Sequence, residues 1–244
     1  MPKLHKSAQI SAQELSAEDL TLINNYTLHE LTAEQVYTFR LTLCDNEIDR
    51  AQERFTVDAL KTLSELFLGR TIIADHNWSS AQQTARIYRT EVVQEAGVTT
   101  QAGETYTKLV ANAYMVRTES NGDLIQEIQA GIKKEVSVGC AVARVTCSVC
   151  GCDYRSCGHW AGKAYDGTRC HKILGNPSDA YEVSFVAVPA QRKAGVTKAY
   201  EDEDDDDTGT DKTVQDNTDG SAEKALDTDI DLLDVFIFHE KQKG

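Results

Sequence analysis

The acidic residues of this 244-residue chain are concentrated at one end, and that placement limits where a core can form. Residues 201–244 carry 16 acidic and 4 basic side chains, a net of −12 out of −14 for the whole chain. Everything before Glu201 is therefore nearly neutral, at about −2. The stretch EDEDDDDTGTDKTVQDNTDG has no apolar pattern and cannot bury a core, so residues 199–222 are expected to be a disordered acidic linker. A polyanionic tail repels nucleic acid and favours basic partners or plain solubility. The last stretch, 223–244, differs. Leu226, Ile230, Leu233 and Ile237 recur at helical spacing, which predicts an amphipathic helix that docks on a partner or back on its own domain.

Folding is thus confined to the body, which is long enough for one sizeable domain. The N-terminus lacks an apolar signal core, and no apolar run is long enough to span a bilayer. The expectation is a soluble, cytoplasmic protein. Residues 1–35 are polar and read as a loosely packed extension; residues 36–198 read as the folded domain. YTFRLTLC (37–44) alternates as a half-buried strand does. Thr56 caps a helix whose face is Val57, Leu60, Leu63 and Phe67, and Gly69 stops it. TIIADHN (71–77) is a short strand ending at a histidine. ARIYRTEVVQ (85–94) and TYTKLVANAYMV (105–116) are further strands, and NGDLIQEIQAG (121–131) is a short helix. Strands and helices in this order give an α+β class.

Five of the seven cysteines fall between Cys147 and Cys170. With no secretion signal and an odd total, such crowding argues for metal rather than disulfides. Cys147-x-x-Cys150-Gly starts a zinc knuckle, followed by Cys157-x-His159 and then Cys170-His171. Four N/S donors around a structural Zn²⁺ would fold an insert, 147–172, that has almost no apolar core. The favoured ligands are Cys147, Cys150 and Cys157, with either His159 or Cys170 as the fourth; Cys152 is read as a bystander. A zinc deaminase is excluded, because Asn77-Trp78 follow His76 and Thr146 precedes Cys147, so its motifs are absent. A zinc-knuckle nucleic-acid binder would draw on Lys133, Lys134, Arg144, Arg155, Lys163, Arg169 and Lys172. The acidic tail and near-neutral body weigh against it.

Two segments echo one another, KKEVSVGCAV (133–142) and YEVSFVAVPA (181–190). Strand alternation puts Glu135, Ser137, Gly139 and Ala141 on one face, opposite Val136, Val138, Cys140 and Val142. Ser137 therefore has small neighbours that leave room for a substrate backbone. In the second segment Glu182, Ser184, Val186 and Val188 share a face. A serine hydroxyl needs a base to become a nucleophile. His159 and His171 lie in the cysteine cluster, His5 and His29 in the N-terminal extension and His239 in the tail. By elimination His76 is the candidate base, with Glu182 a carboxylate fit to orient it. The competing reading is two core strands and a solvated strand-end histidine, and no GxSxG elbow favours catalysis.

The order strand–helix–DH, further strands, KEVSVGC and then AYEVSFVAVPAQRKAGVTK resembles tailed-phage prohead maturation proteases, a group related to the herpesvirus assemblins. The similarity runs from about Tyr37 to Lys198 and includes LCDNEIDRAQERFTVDAL. The resemblance implies a serine endopeptidase on a small, mostly antiparallel β-barrel flanked by helices. In it Ser137 would be the nucleophile, His76 the base, and Glu182 the third member with Asp179 as the fallback. It needs no cofactor for catalysis. It further implies scaffold and capsid proteins, and the chain itself, as substrates and partners, with self-association and autoproteolysis. The location would be the bacterial host cytoplasm, inside the assembling prohead, with no nucleic-acid or membrane partner. The zinc insert and acidic tail lie outside the family's minimal fold. The alternative is an inactive head-assembly or scaffold protein that keeps the fold and a structural zinc site.

Overall fold

In the computed structural model, which describes residues 15–197, the first alternating stretch forms β1 (Val36–Asp45), with Phe39, Leu41 and Leu43 buried. The acidic linker and the C-terminal amphipathic segment lie outside the described residues, as do residues 1–14. β1 pairs antiparallel with β5 (Thr105–Val116), and β5 with β4 (Ala85–Thr99). Before them, α1 (Ala17–Asn24) is capped by Ser16, whose hydroxyl accepts from the Asp19 N–H at 3.0 Å. Ile23 of this helix is fully buried against Leu31, Val36, Tyr88 and Tyr114. The described part of the polar N-terminal segment is thus docked on the sheet rather than loosely packed.

The main core lies between the sheet and α2 (Val57–Phe67). Thr56 Oγ1 accepts from the Ala59 N–H at 3.1 Å and so satisfies one of the helix's orphan donors. Leu60, Leu63 and Phe67 are fully buried, each contributing about 1.5–3 kcal/mol by burial. Gly69 takes φ +74, the left-handed conformation that ends the helix. The helix is the crossover between β2 (Glu53–Phe55) and β3 (Thr71–Ala74), and both of those strands run parallel to β9 (Lys172–Phe185). β6 (Val136–Cys147) runs antiparallel along nearly the whole of β9, after the short α3 (Gly122–Gln129). Between β6 and β9, the cysteine-rich insert carries a two-stranded ribbon, β7 (Ala164–Tyr165) and β8 (Thr168–Arg169). Its Asp166-Gly167 turn has positive φ at both residues.

Eight strands make one mixed, mostly antiparallel sheet in the order β10-β1-β5-β4-β3-β9-β2, with β6 paired to β9 and β10 being Gly195–Thr197. The sheet does not close into the barrel that the resemblance implies. β10 is only three residues long, and its contact with the β6 end is a single bridge, Glu135 to Gly195, plus the Val196 N–H bonded to Lys134 O at 2.6 Å. The seam stops there. Among the described residues no helix is long and apolar enough to cross a membrane.

Candidate functional site

Parallel pairing of β3 with the end of β9 sets Ala74 beside Phe185. The chain then turns through Asp75 and His76, both at φ 51, a left-handed conformation uncommon for residues with a side chain. Such strain persists where surrounding contacts over-determine it, and it gathers at functional sites. Here the Asp75 N–H bonds Phe185 O at 3.0 Å, the His76 N–H bonds Ser184 Oγ at 2.9 Å and the Asn77 N–H closes the turn on Ala74 O at 3.0 Å.

The turn brings the His76 imidazole onto Glu182. Nδ1 lies 2.7 Å from Glu182 Oε1, with the two side chains 13% and 3% exposed. An ionised carboxylate only accepts, so Nδ1 is the donor in this contact, and in the neutral imidazole the lone pair then lies on Nε2. The second carboxylate oxygen, Oε2, accepts from the Ser184 hydroxyl at 2.9 Å. Ser184, fully buried, therefore holds both the carboxylate and the histidine backbone. The strand alternation places Ser184 on the face of Glu182, but its role was not visible in the sequence. It depends on where the His76 backbone lies, 108 positions away.

Glu182 rests across Gly139 of the neighbouring strand. A Cβ built there would stand 2.5 Å from Glu182 Oε1, so this glycine is required by the carboxylate above it. Ser137 comes two residues earlier on the same face, and the register sets it directly opposite Ser184, as Gly139 is opposite Glu182. Directly opposed residues have Cβ atoms about 4.5–5.5 Å apart. Ser137 is 8% exposed, and its hydroxyl makes no hydrogen bond among the described residues. Asp179, the other candidate acid, is not at this site. It pairs instead with Arg70 at 2.9 Å and lies opposite Ala141. Cys140 is no rival nucleophile, because burial, with Glu53 and Glu182 nearby, pushes its thiol up to about 12.

About ten residues along the same ladder, the strand ends at the cysteines. Ligand atoms of Cys147, Cys150, Cys157 and His159 all lie within 4.8 Å of one another, a set that can hold a metal ion. The knuckle turn is closed by the Gly151 N–H on Cys147 O at 2.9 Å, with Gly151 at φ +71. Tetrahedral zinc, with Zn–S about 2.3 Å and Zn–N about 2.0–2.1 Å, requires roughly 3.5 Å between a sulfur and a nitrogen ligand and roughly 3.8 Å between two sulfurs. Cys147 Sγ is 3.6 Å from His159 Nδ1, which matches the first. Cys170 stands outside the mutually close set, although its sulfur is 3.7 Å from that of Cys147. Burial raises the Cys147 thiol, but the Cys150 and Val149 N–H groups and the neighbouring thiols outweigh it and bring it to about 6. Burial and Cys147 push Cys170 up to about 11. Cys152 is exposed and also outside the set. His171 faces away from it: its Nε2 accepts from Arg54 Nε at 3.2 Å.

Compared with known proteins, the chain matches no family model, no curated protein and no solved structure.

Proposed function

We propose that the chain is a serine endopeptidase of the prohead-maturation type, with Ser137 as nucleophile, His76 as general base and Glu182 as the orienting carboxylate. The observation that carries this reading is the buried 2.7 Å contact between His76 Nδ1 and Glu182 Oε1, set beside a strand that presents Ser137 on the same face. Nothing about packing calls for a histidine and a carboxylate here. The pair is held in place by a strained turn, by Ser184 and by a glycine that leaves room for it.

In this mechanism His76 Nε2 takes the Ser137 proton as Oγ attacks the scissile carbonyl. It then returns that proton to the leaving amine. Glu182 keeps the proton on Nδ1 and stabilises the imidazolium as it forms. Ser184 fixes the carboxylate so that the dyad pays little reorganisation during the reaction. The substrates are segments of scaffold and capsid proteins, and of the chain itself, cut inside the assembling prohead in the host cytoplasm. The cysteine cluster holds a structural zinc through Cys147, Cys150, Cys157 and His159. Four protein donors would close the shell and leave no open position for catalysis.

A fluorophosphonate probe tests the nucleophile. It should label the full chain at Ser137 and nowhere else, and labelling should fall at least a hundredfold in His76→Ala. Labelling at another serine, or none in a folded protein, would remove Ser137 from the mechanism.

A further inference from the structure

At the far end of the β6–β9 ladder from His76, a cleft of about 600 Å³ opens between the β1–β2 loop, the β4–β5 turn and the cysteine-rich insert. This volume is in the range of ligand sites. Three arginines line it, Arg54, Arg169 and Arg192, against a single carboxylate, Asp49. Arg54 is already engaged: its guanidinium forks onto Glu104 at 2.8 and 2.9 Å, and its Nε donates to His171. Asp49 is buried, and its Oδ1 accepts from the Glu53 N–H at 2.8 Å. Arg169 and Arg192 are exposed, and their side chains make no ion pair or hydrogen bond among the described residues. Two uncompensated guanidinium groups, with the Ser148 hydroxyl beside them, suit carboxylates.

The chain supplies such carboxylates nearby. Glu201–Asp207 is a run of seven consecutive acidic residues that begins nine positions after Arg192, itself in the cleft wall. Thr197, where β10 ends, is five positions from Arg192 and so at most about 18 Å from it, while the ten positions from Thr197 to Asp207 span up to about 35 Å, far enough for the run to reach the cleft. The body is near −2 and the tail −12, so the densest run of opposite charge in the sequence follows Arg192 closely along the chain.

We propose that this cleft is a docking site for acidic peptide segments and that its resident occupant is the chain's own Glu201–Asp207. Arg169 sits on β8 of the ribbon that follows the Cys/His set, so the insert builds one wall of the site. This gives the insert a task separate from the His76–Glu182 dyad, and it stands whether or not the chain cuts peptide bonds. Exposed charge pairs are individually weak and salt-sensitive, so the docking is reversible.

The test uses the full chain in three forms: wild type, a variant with Glu201–Asp207 replaced by Gln and Asn, and that variant carrying Arg169→Glu and Arg192→Glu. A fluorescein-labelled peptide EDEDDDDTGT is titrated at low salt and followed by anisotropy, with the Gln/Asn version of the peptide as control. The neutralised chain should bind the acidic peptide. Wild type, with its own run in place, should bind it at least tenfold more weakly, as should the charge-reversed chain. Urea unfolding confirms that the two reversals, both at exposed residues, leave the fold intact. No binding to the neutralised chain, or binding indifferent to the two arginines, overturns the site. Equal binding to wild type and the neutralised chain overturns the assignment of Glu201–Asp207 as its occupant.

Discussion

Gly139→Ala is the substitution whose outcome the geometry fixes most tightly. Gly139 has no positive φ, so with open space above it an added methyl would stabilise the chain by about 0.4–1 kcal/mol through the unfolded state. The space is not open, because the new Cβ would lie 2.5 Å from Glu182 Oε1. Carbon and oxygen need roughly 3.2 Å or more, so the carboxylate must move by most of an ångström. It cannot do so while also keeping His76 at 2.7 Å and Ser184 at 2.9 Å. Overpacking costs about 1–3 kcal/mol, and loss of a hydrogen bond to a charged group about 1.5–3. The two overlap, and after the unfolded-state gain a net loss of about 2–3 kcal/mol is expected. That should lower Tm by roughly 5–10 °C for a domain of this size. Peptide cleavage should fall about a hundredfold or more, as expected for a misplacement near 1 Å in a catalytic group. Urea unfolding of Gly139→Ala in the wild-type and Glu182→Ala backgrounds isolates the clash. In the second background the methyl should cost no more than about 0.5 kcal/mol. A Gly139→Ala protein as stable and as active as wild type would refute the placement of Glu182.

Two further outcomes follow from other parts of the molecule. Burial raises Asp49 from 3.8 to about 6, so the folded state holds its proton more tightly than the unfolded chain does. The stability tied to this group is therefore fully present below about pH 4 and lost as pH rises through about 6. Asp49→Asn keeps an oxygen for the Glu53 N–H, so it should raise Tm relative to wild type at pH 8 and show no advantage at pH 3.5. A difference that does not change with pH would contradict this. Zinc content by atomic emission should be one per chain in wild type and in Cys152→Ser, and well below that in Cys147→Ser. Metal loss in Cys152→Ser would exclude the Cys147, Cys150, Cys157 and His159 set.

Local signals in the sequence located most of the elements that position the site. Thr56, the Leu60–Leu63–Phe67 stripe and Gly69 mark α2 to within a residue, because capping and amphipathic period are properties of the segment itself. β5 spans the predicted Thr105–Val116, with both faces largely buried. β4 continues to Thr99, past the predicted end at Gln94; its last residues are mostly exposed and carry no apolar alternation, so no pattern marks them as strand. β9 begins at Lys172, nine residues before the YEVSFVAVPA segment that marks it in the sequence. Gly175 and Pro177 break the pattern there, and the sheet accommodates Pro177 at a register shift against β6.

The site divides in the same way. Residue type and strand face nominated Ser137, His76 and Glu182. The parallel pairing of β3 with β9, which joins two of them, is a long-range contact that no local pattern encodes. The roles of Ser184 and Gly139 and the failure of the sheet to close are likewise properties of the assembled strands. The metal set was narrowed to five donors by spacing, and the described geometry favours His159 over Cys170 as the fourth.

The central claim is that Ser137 cuts peptide bonds, and intact mass over time tests it most directly. Wild type and Ser137→Ala are incubated alone and with a scaffold–capsid partner. New, discrete masses should appear in wild type, from its own chain or from the partner, and none in Ser137→Ala. If both proteins and the partner keep their masses while folded, or if Ser137→Ala cuts as wild type does, the protease assignment is wrong.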